Sequence, residues 1–85
     1  MSHSTERRGQ VVDASGVPVP GAHVVIVAGS VPMPEIALLC DDAGRFSLRL
    51  PPGAFTLRAH GPTGTGEVEA EGGPSDDEIV IMIGR

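Results

Sequence analysis

The sequence lacks lysine, asparagine, tryptophan and tyrosine, and its 85 residues include only one cysteine and two aromatic residues. Because 11 acidic residues outnumber six arginines, the formal net charge is −5, which provides no attractive field for phosphates. Two phenylalanines also make a poor platform for stacking bases. Nucleic acid is therefore not an expected partner. The missing lysine and asparagine, with plentiful arginine, alanine, glycine and proline, are typical of a GC-rich bacterial genome.

Long apolar runs are also missing. The longest, Val24 to Ala28, is far too short to cross a bilayer, and the first residues contain no apolar segment of signal-peptide length. The single Cys40 cannot form an internal disulfide and is expected to be a small buried apolar residue. These features predict a cytoplasmic protein, or a secreted one if the chain is excised from a longer parent.

Glycine and proline are abundant, with 12 and eight residues, and they divide the chain into short β-branched runs. We predict a disordered polar tail over residues 1–8 and one domain over residues 9–85. The predicted strands are Gly9 to Asp13, Ala22 to Ala28, Ile36 to Cys40, Arg45 to Leu50, Ala54 to His60, Glu67 to Ala70 and Glu78 to Gly84. A short helix from Glu35 to Ala43 is the alternative to the third strand.

The stretch DDAGRFSLRLPPGAFTLRAHG, residues 41–61, alternates apolar and polar residues twice. DDAG predicts a tight turn that makes an antiparallel hairpin of residues 36–50, and PPG predicts a type II bend with glycine at the position of positive φ. The period of two sends one set of side chains into the core: Phe46, Leu48, Leu50, Phe55, Leu57 and Ala59. The loops GPTGTG and EGGPSDDE are expected to connect the remaining strands.

Two stretches, GQVVDASGVPVPGAHVVIVAG and DDAGRFSLRLPPGAFTLRAHG, resemble the carboxypeptidase regulatory-like domain in their order of strands, Asp-Gly turns and Pro-Gly bends. The resemblance extends from Gly9 to Ile83. It implies an all-β fold, a seven-stranded antiparallel Greek-key β-sandwich of the transthyretin-like type. Members are usually non-catalytic modules appended to peptidases, outer-membrane receptors and surface proteins.

The residue types and their spacing provide little evidence for catalysis. Related sandwich domains form isopeptide bonds from lysine, which this chain lacks. Transthyretin-like hydrolases use His and Arg residues with a C-terminal Tyr-Arg-Gly-Ser, whereas this chain ends IMIGR. Adjacent outward positions would bring His23, His60 and Arg58 together on one surface, where they could mimic only part of such a site. The serines show no nucleophile-elbow context. We therefore expect no enzyme activity, and a small hydrolase is a remote alternative.

Metal ligands and cofactors are not expected either. His3, His23, Cys40 and His60 show none of the short zinc spacings. The acidic residues between Glu67 and Glu78 lack the ordered pattern of a calcium loop, and they are better explained as a solvated edge that discourages aggregation. No metal or cofactor is therefore predicted.

The sequence best fits a protein-interaction or accessory module that acts in a larger bacterial assembly or with a peptidase. In the last strand Ile79, Ile81 and Ile83 point to one face and Val80 and Met82 to the other, although a single core can bury only one face. If this strand pairs with the first, as the resemblance implies, Val12, Val80 and Met82 form one exposed apolar patch that docks on another chain, either a second copy or a partner protein.

Val31 and Met33 in the Pro-braced loop Gly29 to Glu35 either contact that partner or cover the open end of the sandwich. A carbohydrate-binding module is the alternative, although sugar platforms are normally built from tryptophan and tyrosine.

Overall fold

The fold is a sandwich of two β-sheets, seen in a computed structural model that describes residues 5–29, 37–62, 64–73 and 77–84. These ranges contain no helix, and their strands are β1 (Thr5–Val12), β2 (His23–Gly29), β3 (Leu38–Leu39), β4 (Arg45–Leu50), β5 (Gly53–Gly61), β6 (Gly64–Gly72) and β7 (Ile79–Met82). One sheet has the order β4-β1-β7 and the other β3-β2-β5-β6. The pairing of β1 with β7 is parallel and the other pairings are antiparallel. The predicted all-β, seven-stranded sandwich is confirmed, and among the described strands it departs from the predicted antiparallel arrangement only in the parallel pairing of β1 with β7.

The core lies between the two sheets, where the alternating residues of β4, β5 and β7 meet. Along β4 and β5 the inward side chains predicted from the period of two are buried, and their neighbours face solvent. Each phenylalanine lies across the strand pairing from a glycine, Phe46 opposite Gly9 and Phe55 opposite Gly29. A Cβ atom on either glycine would overlap the facing ring. The missing side chains therefore leave the space that the two aromatic rings fill.

The first strand begins earlier than predicted, because Thr5 to Arg8 pair with residues 47–50 of β4. The prediction of a tail is therefore wrong for these four residues, and residues 1–4 lie outside the described ranges. Arg7 is only 6% exposed and points between the sheets. Its guanidinium donates to the main-chain carbonyl of Glu71, and its Nη2 donates to that of Asp77 at 3.1 Å. Because buried strand positions are recognised in a sequence by apolar residues, an arginine that is buried against carbonyls gives no such indication. The start of the first strand was therefore predicted too late.

The predicted hairpin over residues 36–50 is also wrong, although its turn is correct. β3 pairs with β2, with the Cys40 amide donating to the Ala22 carbonyl at 2.8 Å, whereas β4 pairs with β1 in the other sheet. The turn thus carries the chain from one sheet to the other. The helix considered over residues 35–43 is absent from its described part, residues 37–43.

Other differences concern strand ends. Within the described residues the third strand is reduced to Leu38–Leu39, and β6 is longer than predicted because Gly64 to Gly66 continue the pairing with β5. The predicted loop over residues 61–66 shrinks accordingly. The sandwich is closed beside β6, where Thr65 forms an isolated bridge with Gly84. Glycine runs are weak strand formers, so the sequence alone favoured a loop there.

Two turns share one design, in which an aspartate accepts hydrogen bonds from the main chain that follows it. Asp13 Oδ1 accepts from the amides of Ser15 and Val17 at 2.9 and 3.0 Å, and Gly16 takes a positive φ of 83°. Asp41 Oδ1 accepts from the amides of Ala43 and Arg45 at 2.9 Å each. These Asx turns explain why Asp-x-x-Gly recurs in the sequence.

The second turn makes stability depend on pH. The amides of Arg45 and Ala43 hold the pKa of the exposed Asp41 carboxyl below its usual value of 3.8. Because the folded state favours the charged form, this contribution is present above pH 3.8 and is lost as the pH falls through the lowered pKa. We expect the thermal midpoint to fall between pH 6 and pH 3, and to fall by less in Asp41→Asn, whose amide oxygen still accepts both bonds. An equal decrease in the variant would exclude Asp41 as a contributor.

Candidate functional site

The outer face of the three-stranded sheet carries the apolar patch predicted at β7. The side chains of Val80 and Met82 are 48% and 59% exposed, whereas Ile79, Ile81 and Ile83 are buried beneath them. The parallel pairing places Val80 beside Gln10 and Met82 beside Val12. The alternation predicted for the last strand is therefore confirmed, and so is its pairing with the first strand.

Val12 does not belong to the exposed part of this patch, because it is only 8% exposed. Met82 lies beside it on β7, and Pro18 forms an isolated bridge with it on the other side. Directly paired residues place their side chains on the same face about 4.5–5.5 Å apart, so two neighbours flank the valine. The prediction that Val12 is exposed is wrong because the turn after β1 folds back beside it. Val17 in that turn adds another exposed valine.

Charged residues lie to one side of the exposed pair, because β7 is an edge strand of its sheet. Pairing of β1 with β4 puts Arg8, Arg45 and Arg49 on the same outer face, together with Glu6. Arg45 also forms an ion pair with Glu78 at 2.7 Å. Half of the six arginines of a net negative chain thus lie on one face. We call this surface, with Val80 and Met82 along its β7 edge, the β7 face.

The outer face of the four-stranded sheet brings together residues distant in sequence. His23 lies directly opposite His60 in the pairing of β2 with β5, and both side chains are exposed. Arg58, two residues before His60, is held by Glu67 of β6, with its Nε 2.7 Å from Oε2 of the carboxylate. The hypothesis that these three residues lie on one surface is correct, but Arg58 is engaged in an ion pair.

Cys40 is buried, and burial, followed by the nearby charge of Asp41, raises the pKa of its thiol. The thiol is therefore a poor nucleophile, as expected of a buried cysteine. Val31 and Met33, the other residues predicted to bind a partner, lie outside the described residues, as does His3.

A family model of the carboxypeptidase regulatory-like domain matches residues 8–78. The chain belongs to this family. The resemblance inferred from the Asp-Gly and Pro-Gly turns is confirmed, and the family is that of a non-catalytic, regulatory-type β-sandwich domain. No curated protein matches the sequence.

Two clefts among the described residues of the regulatory-like domain do not coincide with the histidines. A cleft of about 490 Å³ lies beside the edge strands β3 and β4, and another of about 310 Å³ lies beside β6 and β7; neither is lined by His23 or His60. Both phenylalanines are buried, so the surface offers no aromatic ring on which a sugar could stack. The geometry therefore favours neither the hydrolase nor the carbohydrate alternative.

Among the residues that the structure describes, no three or more histidine, cysteine or acidic side chains converge as metal ligands. None of these residues belongs to a helix that is long and apolar enough to cross a membrane. Sequence reasoning placed His23 and His60 on one surface but missed their direct pairing, and it also missed the exposed Leu39, because both features depend on the pairing register of distant strands.

Proposed function

We propose that this domain is a non-catalytic accessory module that binds another protein through its β7 face, within a larger bacterial assembly or beside a peptidase. The observation that carries the proposal is the exposure of two adjacent large apolar side chains, Val80 and Met82, on an otherwise charged sheet surface. Apolar residues bordered by polar and charged ones are the usual composition of a protein-binding patch. The domain family supports the absence of catalysis.

The charges favour a partner other than a second copy. A symmetric dimer through the β7 face would be isologous, with the same surface contributed by both chains. It would bring two copies of this face into one interface, each with three arginines against the two acidic residues Glu6 and Glu78, so both copies would carry the same excess of positive charge, which opposes association. A partner with carboxylates beside an apolar anchor would complement the face. We therefore propose a hetero partner of that composition.

Replacement of the two apolar residues tests the proposal. Val80→Arg combined with Met82→Glu should abolish capture of the partner in pull-downs from the native host, because both side chains would lose their apolar contact. The melting temperature of the isolated domain should be nearly unchanged, since both positions are on the surface. The pull-down would be quantified by mass spectrometry against the unmodified domain.

The matched control is Val27→Arg combined with Leu39→Glu, which changes two exposed apolar residues of the other sheet. This variant should retain the partner. Equal capture by the β7-face variant, or loss in the control alone, would contradict the proposed face. Light scattering of the unmodified domain should give a monomer; a dimer that the β7-face variant dissociates would show that the partner is a second copy instead.

A further inference from the structure

His23 and His60 occupy directly paired positions on β2 and β5. The Cys40 amide donates to the Ala22 carbonyl, so the N–H and C=O groups of Ala22 point toward β3. Because these groups point to opposite sides in successive residues of a strand, those of His23 point toward β5. In an antiparallel pairing this makes His23 and His60 a hydrogen-bonded pair, with Cα atoms about 5.5 Å apart. Both side chains lie on the solvent side of a sheet that fixes their separation.

Both histidine side chains are exposed to solvent. Leu39 lies across the strand pairing from His23, and Thr65 lies across from His60. Among the described residues, the nearest arginine on this face is Arg58, which is bound to Glu67, and the carboxylate compensates its positive charge. The described part of this face therefore presents no uncompensated arginine to a cation approaching the two imidazoles, in a chain with a net charge of −5.

We propose that His23 and His60 form a bidentate site for a divalent transition-metal ion, with Cu²⁺ bound more tightly than Ni²⁺ or Zn²⁺. Neutral imidazole is a good ligand for these ions, and Cu²⁺ is highest in the general order of affinities. Metal–nitrogen bonds are about 2.0–2.1 Å long, so two ligand nitrogens lie about 3 Å apart, within reach of rings on paired residues. The remaining coordination positions would hold water or an exchangeable ligand. The site is independent of the β7 face, which belongs to the other sheet.

Titration with Cu²⁺ alone tests this site, in a His3→Ala background so that the third histidine does not compete. The protein should bind one Cu²⁺ with an electron paramagnetic resonance spectrum showing coupling to two nitrogens. His23→Ala and His60→Ala should each weaken Cu²⁺ binding by at least about tenfold. In the unmodified pair, a Cu²⁺ ion bound to one imidazole meets the other at a high effective concentration, and each variant loses this second ligand. Each variant should also lose the coupling to one nitrogen.

Thr56→Val is the control, because it changes the same face of β5 and leaves both histidines in place. Its Cu²⁺ affinity and spectrum should match those of the background protein. Circular dichroism would establish that all variants remain folded. Unchanged affinity in either histidine variant, a spectrum without coupling to two nitrogens, or tighter binding of Zn²⁺ than of Cu²⁺ would overturn the proposal.

Discussion

Gly66→Ala should unfold the domain or leave it marginally stable. Gly66 lies on β6 where the sandwich closes against β7, and a Cβ atom there would overlap the carbonyl oxygen of Met82 and lie 2.8 Å from its carbonyl carbon. Backbone atoms cannot rotate away as a side chain can, so one of the two strands must shift. Such overpacking typically costs about 1–3 kcal/mol and occasionally more, and a clash with main-chain atoms places Gly66→Ala at the upper end. A chain of this length has roughly 4–13 kcal/mol of stability in total.

Gly84→Ala is the matched control at the same closure. A Cβ atom at Gly84 would meet only the Cβ of Ala14 at 3.7 Å, which is ordinary van der Waals contact. Urea unfolding followed by circular dichroism should show Gly84→Ala close to the unmodified protein and Gly66→Ala strongly destabilised. If the two variants had equal midpoints, β6 and β7 would not approach as closely as described.

Phe55→Ala should destabilise the domain by about 3–5 kcal/mol, as expected for removal of a buried aromatic side chain. Phe55 is 1% exposed and belongs to the cluster that fills the space between the sheets. Phe46→Ala should have an effect of the same order, since Phe46 is also buried and both rings pack over a glycine. Thermal and urea unfolding would measure both; variants that melt like the unmodified protein would contradict the inward orientation of these rings.

A double-mutant cycle tests the packing of Phe55 over Gly29 more sharply than either single change. Alone, Gly29→Ala should destabilise the domain, because its Cβ would overlap the ring and lie 2.7 Å from Phe55 Cε1. In the Phe55→Ala background the same substitution should cost almost nothing, since the ring is gone. The double variant should therefore be less destabilised than the sum of the two single variants. Additive effects would mean that the ring does not cover Gly29.

Local pattern was sufficient to predict much of this fold. Alternation along β4 and β5 determined which side chains are buried, because each residue of a strand faces opposite to its neighbour. Asp41 and Gly44 identified a turn: the Asp41 carboxylate accepts hydrogen bonds from main-chain amides, and Gly44 has a φ of 72°. These features depend on residues close in sequence, so they can be predicted from the sequence alone.

Features that depend on distant residues were not predictable in the same way. Arg7 is buried because carbonyls of Glu71 and Asp77 come within reach of its guanidinium, and nothing near Arg7 in sequence indicates this. Val12 is covered by Met82 and by a returning turn. The apposition of His23 with His60 likewise requires the register of β2 on β5. In each case the deciding neighbour lies far along the chain.

The most direct test of the β7 face as a docking surface is site-specific photocrosslinking in the native host. A photoreactive amino acid would replace Met82, or, as the control on the other sheet, Leu39. The account predicts that the probe at position 82 crosslinks to one partner protein, whose contact peptide is rich in acidic and apolar residues, while the probe at position 39 does not. Crosslinks to that partner only from position 39, or none from position 82 when the protein is folded and expressed, would contradict it.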